Sequence, residues 1–238
     1  MWSRIAVLAS GRGSNLVALL DYLERSGGGD SGDARVALVV SDRSDAGALA
    51  EARARGIVAE ALADPARAED ELSMLLSRHR VDLVVLAGYL RLVPRRVVAD
   101  FAGRIVNVHP ALLPSFGGRG MYGDRVHRAV LASGARISGA TVHAVTDEYD
   151  RGAILAQWPV PVFADDDTRT LAARVLRVEH LLLPRIVAAL AAGRMRSDAQ
   201  GSQRRFLSGQ HGGEDFGFAL DPYDAETLSH NIDVALAG

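Results

Sequence analysis

Short runs rich in valine, isoleucine and leucine alternate with stretches whose apolar residues recur at helical spacing, and this alternation limits the fold more than any other feature of the chain. Residues 5–9 (Ile-Ala-Val-Leu-Ala) read as a buried strand, and residues 15–24 as a helix with Leu16, Leu19, Leu20 and Leu23 on one face. The pattern then repeats. A valine-rich strand is expected over 34–40, a helix over 46–55 ended by Gly56, and a helix over 66–80 with Leu72, Leu75 and Leu76 inward. Further strands are expected over 83–86 and 105–108. Strands that alternate with helices of this length build βαβ units, and right-handed crossovers spread the helices over both faces of the sheet. The expected class is α/β, with a mostly parallel central sheet and helices on both faces.

The second half changes character. Residues 141–145 and 154–162 read as strands with a turn between them, an added and less regular part of the sheet. Residues 168–192 carry the longest helical pattern, with Asp167 or Thr168 to cap its start and Gly193 to end it. Pro184 falls inside this pattern and is expected to kink or divide the helix. From residue 198 the composition shifts to Gly, Gln, Ser and His, and Leu228, Ile232 and Leu236 fit a short helix near 226–236. The chain therefore divides into a domain over 1–197 and a tail over 198–238.

Composition removes several chemistries. With no cysteine, disulfides, thiolate metal sites and a cysteine nucleophile are excluded. All 27 basic residues are arginine, which excludes lysine Schiff bases and the lysine of a nucleoside-triphosphate loop. The arginines are scattered among 29 acidic residues rather than gathered in a stripe, so no nucleic-acid footprint is expected. No apolar run approaches the roughly 18 residues that span a bilayer, and no signal-peptide layout precedes the first strand. The expected location is cytoplasmic, with no membrane partner. His79, His127, His143, His180, His211 and His230 show no metal-ligand spacing, and no metal site is expected.

Three segments can carry chemistry. The first, Ser10-Gly11-Arg12-Gly13-Ser14-Asn15, joins the first strand to the first helix. Glycines allow a tight turn there, and the helix beyond offers free N–H groups at its positive dipole end, a cradle for one phosphate group. Leu16 stands where a dinucleotide fingerprint needs its third glycine. The second segment is Asn107-Val108-His109-Pro110. Alternation puts Asn107 and His109 on the same face at the C-terminal end of a parallel strand, where open α/β sheets place their sites. An amide there can steady an oxyanion and an imidazole can carry a proton, whereas a buried histidine bonded only to backbone is the competing reading. The third is the acidic turn Thr146-Asp147-Glu148-Tyr149-Asp150-Arg151-Gly152, which by itself reads as a solvated turn. A carboxylate from it beside His109 would raise the histidine pKa and orient the ring, but spacing alone does not bring the two together.

Four motifs in order resemble one family. Ser10 to Asn15, Leu86-Ala87-Gly88-Tyr89-Leu90-Arg91, Asn107 to Pro114 and Asp150-Arg151-Gly152 are similar to the motifs of the phosphoribosylglycinamide formyltransferases, folate-dependent enzymes of purine synthesis. The likeness runs from about Arg4 to about Arg194. It implies a Rossmann-like formyltransferase fold and transfer of a formyl group from 10-formyltetrahydrofolate, a co-substrate, to the amine of glycinamide ribonucleotide. It makes Asn107, His109 and Asp150 the catalytic trio: Asn107 on the oxyanion, His109 as the acid, Asp150 holding it protonated. It assigns the ribonucleotide phosphate to Gly13, Ser14 and Asn15, backbone contacts to its glycinamide part to Gly88 and Leu90, and its ribose hydroxyls to Glu179. Folate would lie against Leu90, Arg91, Leu92, Val93, Asn107, Thr146, Asp147 and Asp150. Small molecules are the expected partners, and the chain is expected to be a monomer or homodimer.

Departures from the family pattern fall around the phosphate. The stretch over 116–123 is long, with Arg119 where a subset of the family has lysine, so Arg119 is a candidate phosphate contact. A further family lysine is replaced by Leu176, beside Arg177. The folate-facing arginine of the family has no clean match, with Pro65 near its position and Arg67 close by. Formyltetrahydrofolate deformylases carry similar segments, and a nucleotide-binding regulatory module is the reading from another class. The phosphate loop argues against the first and the missing third glycine against the second.

Overall fold

A computed structural model describes residues 4–26, 34–62, 64 and 66–195. The loop expected over 27–29, Pro65, the boundary at 197/198 and the tail with its 226–236 helix lie outside the described residues.

Seven strands form one sheet in the order β3-β2-β1-β4-β5-β6-β7. They are β1 (Arg4–Leu8), β2 (Arg35–Ser41), β3 (Val58–Ala61), β4 (Leu83–Leu86), β5 (Ile105–His109), β6 (Ile137–Ala144) and β7 (Ile154–Pro161). Strands β1 to β5 pair in parallel, and β6 lies antiparallel to both β5 and β7. The expected mostly parallel α/β sheet is thus observed, with the irregular half at one edge.

The central strands are apolar on both faces because each face is covered. Helices α1 (Ser14–Arg25), α2 (Gly47–Ala54), α5 (Asp124–Ser133) and α6 (Thr168–Ala191) contribute to the core that holds Val7, Val85 and Val106. Helices α3 (Ala68–Arg78) and α4 (Arg95–Asp100) contribute to the core that holds Leu8, Leu86 and Ile105. Strand order reverses between β1 and β4, so the loops that follow these two strands part and leave a crevice at their C-terminal ends.

Three elements were not expected. They are β3, a four-residue edge strand of alternating exposure, the six-residue α4, and α5, which follows the glycine-rich stretch. Helix α6 corrects the expectation at Pro184: it is one helix of 24 residues that runs through the proline. Leu182, Leu183, Pro184, Ile186 and Val187 are all buried, and burial of this whole stretch offsets the roughly 3 kcal/mol that an interior proline costs. Its start is set by Asp167, whose carboxylate accepts from the Thr170 N–H at 2.7 Å while the Thr170 hydroxyl accepts from the Asp167 N–H at 3.0 Å. Among the described residues, no helix is long and apolar enough to cross a membrane.

Candidate active site

A cleft of about 510 Å³ opens at the β1/β4 crevice, within the usual size range of small-molecule sites. Asn15, Gly88, Leu90, Arg91, Leu92, Val93, Asn107, His109, Arg119, Thr146, Asp150 and Glu179 all line it. Gly13 and Ser14 lie in the loop between two lining residues, Arg12 and Asn15. Asp147 is outside the lining and pairs with Arg95 at 3.7 Å.

One end of the cleft is the start of α1. Gly13 precedes the helix in the left-handed region (φ 89°). A Cβ there would fall 2.7 Å from the Ala48 Cα, so the loop passes too close to α2 for any other residue. The first helical bond runs from the Val17 N–H to the Gly13 carbonyl, leaving the N–H groups of Ser14, Asn15 and Leu16 unmatched by the helix. Gly13 brings no side chain to cap this end, and no acid occupies its first turn. Asn15 is buried and donates through Nδ2 to Glu179 Oε2 at 2.6 Å, while its Oδ1 has no partner among the described residues. Burial pushes the Glu179 carboxyl up to about 7, against the downward pull of the Asn15 amide.

At the other end, alternation along β5 puts Asn107 and His109 on one face, as expected. His109 is buried, with Nδ1 3.6 Å from Asp150 Oδ2 and Nε2 2.9 Å from the Phe116 carbonyl oxygen. Both neighbours are acceptors, so both favour the imidazolium. Burial nevertheless dominates and holds the His109 pKa below its ordinary value, with Asp150 and the carbonyl opposing it and His143 adding to it. The expected upward pull from Asp150 is present but does not win.

Burial also opposes ionisation of Asp150, yet His143, His109 and the Gly118 N–H outweigh it and keep the carboxyl below the usual range. The Gly118 N–H donates to Asp150 Oδ2 at 2.8 Å. Asp150 itself sits at φ 55°, an uncommon conformation for a residue with a side chain. The turn that carries it begins beside the foot of β5, where the Val145 N–H meets the Ile105 carbonyl, and folds back to reach His109 at the strand's far end.

Sequence reasoning passed over His143. The antiparallel register sets it directly across from Asn107. Its Nδ1 lies 2.8 Å from the Ala144 carbonyl, which can only accept, so Nδ1 carries a proton. In the neutral ring the bare Nε2 accepts from Asn107 Nδ2 at 3.0 Å. That bond fixes which way the Asn107 amide faces and leaves its second N–H for the cleft. The same Nε2 is 3.5 Å from Asp150 Oδ1, and it favours the ionised carboxylate only when the ring is protonated and Nε2 carries a proton. The signal that could have found His143 is its place in the predicted strand over 141–145, two residues from Thr141, which pairs with His109.

Arg12 was passed over too. Of the arginines lining the cleft, Arg91 is paired with Asp42 at 3.2 Å and Arg125 stacks on Tyr122. Arg12 and Arg119 have no ion-pair partner among the described residues. Leu176 also lines the cleft, so the apolar replacement of the family lysine faces the site. Among the described residues, no group of three or more His, Asp or Glu is placed to hold a metal ion.

The formyl transferase family model matches residues 3–187, most of the chain. The chain belongs to the formyl transferase family. Within it, the phosphoribosylglycinamide formyltransferase of Escherichia coli K12 is 38% identical over 197 residues, covering 81% of this chain and 89% of that one. The chloroplastic phosphoribosylglycinamide formyltransferase of Arabidopsis thaliana is 45% identical over 199 residues, covering 81% of this chain and 67% of that one. The crystal structure of glycinamide ribonucleotide transformylase 1 from Symbiobacterium toebii superposes with a TM-score of 0.74 at 38% identity, covering 82% of this chain and 90% of that one. The fold expected from the four motifs is therefore that of the formyl transferases.

Proposed function

We propose that this formyl transferase moves a formyl group from 10-formyltetrahydrofolate to the amine of glycinamide ribonucleotide, a step of purine (IMP) biosynthesis. The observation that carries the proposal is the pairing, in one cleft, of an uncapped helix start with a proton-handling trio.

The α1 N-terminus takes the phosphate through Gly13, Ser14 and Asn15, and Arg119 with Arg12 supplies charge that Leu176 cannot. Ionised Glu179 accepts from the ribose hydroxyls. Gly88 and Leu90 face the glycinamide part. The Leu90 N–H is already given to the Ser10 hydroxyl, so Leu90 offers the substrate its carbonyl. Folate lies against Leu90 to Val93, Thr146 and Asp150, with its reacting nitrogen between Asn107 and His109. Asp147, drawn off to Arg95, has at most an outer contact with it.

The amine nitrogen attacks the formyl carbon, a C–N bond forms, and the carbonyl oxygen becomes an oxyanion held by the free Asn107 N–H. The nitrogen that attacked now carries a surplus proton. His109, held neutral by burial, accepts it, and the resulting imidazolium is stabilised by Asp150 and the Phe116 carbonyl. His109 then protonates the folate nitrogen as the old C–N bond breaks, releasing tetrahydrofolate. Every proton and charge is accounted for without a metal.

The domain performing this step spans 1–197, in a cytoplasmic enzyme that is a monomer or homodimer. The test follows tetrahydrofolate formation with and without glycinamide ribonucleotide. Turnover that needs the ribonucleotide supports the proposal. Equal turnover without it makes the protein a hydrolase, and none at all removes the formyl-transfer reading.

A further inference from the structure

The two walls of the cleft leave from neighbouring strands, residues 9–13 from β1 and residues 87–94 from β4. Ser10 stands where they diverge and is 4% exposed. Its N–H donates to the Gly88 carbonyl at 3.0 Å. Its hydroxyl accepts from the Leu90 N–H at 3.0 Å and donates to Asp42 Oδ1 at 2.5 Å. Asp42 comes from the loop after β2, and its other oxygen holds Arg91 Nε at 3.2 Å.

A carboxylate only accepts, so the Ser10 proton must point at Asp42 and its lone pairs at Leu90. The chain of bonds therefore has one direction, from the Leu90 N–H through Ser10 to Asp42, and each bond polarises the next. Three loops meet on this one hydroxyl. Neither Ser10 nor Asp42 lines the cleft, so neither is placed to touch a substrate. Both act through residues that do line it, Leu90 and Arg91.

We propose that Ser10, anchored by Asp42, is a positioning residue that couples the two substrate halves of the cleft. It fixes the Gly88–Arg91 wall, against which folate and the glycinamide part lie, relative to the phosphate loop that begins one residue later. Binding of either substrate then stiffens the wall for the other, and Asp42 alone governs Arg91. The inference rests on the formyl-transfer reading for the identity of the substrates, but the clasp itself does not depend on it.

The experiment compares wild type with Ser10→Ala, Ser10→Thr and Asp42→Asn. In the wild type, calorimetric affinity for glycinamide ribonucleotide rises when folic acid is present, within the roughly 5–150-fold range usual for coupled sites. Ser10→Ala abolishes that enhancement and raises both KM values about tenfold while kcat changes less than about threefold, and Ser10→Thr restores the coupling. Asp42→Asn keeps an acceptor for Ser10 but releases Arg91, so only the folate KM rises. Unchanged KM values in Ser10→Ala, or a loss confined to kcat and melting temperature, overturn the proposal. Amide hydrogen exchange at Leu90 separates the clasp from the activity. The amide is protected in the wild type and exposed in Ser10→Ala whether or not formyl transfer occurs, and equal protection in both proteins overturns the clasp.

Discussion

The two ends of the cleft solve opposite problems. At the end proposed to be catalytic Asn107, His109, His143 and Asp150 already bond to one another or to backbone. At the end proposed for the ribonucleotide the helix N–H groups and the buried Asn15 Oδ1 lack partners, and two arginine side chains lack ion-pair partners, among the described residues. A satisfied network holds its geometry before substrate arrives, which is what transition-state stabilisation requires. A set of unmatched donors gains its partners on binding, which is what ground-state affinity requires. The difference predicts that damage at one end falls on kcat and at the other on KM.

Four variants or conditions break or sharpen that contrast. The largest effect is expected from His109→Ala, a loss of roughly 10²–10⁴-fold in kcat with the ribonucleotide KM nearly unchanged in steady-state assays. A change confined to KM would erase the distinction between the ends. Asn107→Ala comes next, at about 10²–10³-fold in kcat, because one oxyanion donor is removed while His109 keeps its own partners.

Gly13→Ala tests the other end. It forces a side chain into a left-handed position and against Ala48, so thermal melting should report a loss of about 1–3 kcal/mol. The ribonucleotide KM should rise with kcat largely preserved, and a normal KM would detach the loop from the phosphate.

The smallest effect is the pH response of Glu179. Its carboxyl is raised from 4.5 to about 7 by burial, so the folded protein binds a proton that the unfolded chain releases between those values. Unfolding free energy therefore falls as pH rises from about 4.5 to about 7 and levels off above, by on the order of 3 kcal/mol in total. In the folded protein the carboxylate proposed to accept ribose hydroxyls forms around pH 7, at the upper end of that window, so the ribonucleotide KM should drop several-fold toward pH 8. Glu179→Gln should flatten both profiles, and a pH-dependent KM that survives in this variant would assign the titration elsewhere.

Legibility in the sequence followed periodicity. Buried parallel strands such as β4 and amphipathic helices such as α1 and α3 announce themselves because one physical demand, burial of a face, repeats along them. Strand β3 and helix α4 are too short to repeat anything. Asn107 and His109 were readable as a pair because two residues along one strand share a face whatever the rest of the chain does. His143 was not, since its meeting with Asn107 depends on a register between segments 36 residues apart. Asp150 was readable only through family resemblance, because its turn folds back along β5 to meet His109. The uninterrupted helix at Pro184 was hidden for the converse reason: local propensity spoke clearly, and tertiary burial overruled it.

The stretch that follows β5 holds His109 and Asp150 through main-chain atoms, the Phe116 carbonyl on His109 and the Gly118 amide on Asp150. Every residue type brings the same carbonyl and, proline aside, the same amide. Arg119 can thus be exchanged for other side chains while the arrangement of His109 and Asp150 keeps its form, so recognition proposed at Arg119 can drift in evolution independently of the chemistry proposed at His109. Gly117 and Gly118 are the fixed points of the loop: a side chain at 117 would collide with Leu113 and press on Asp150, and Gly118 sits at φ 98°, a left-handed position that favours glycine.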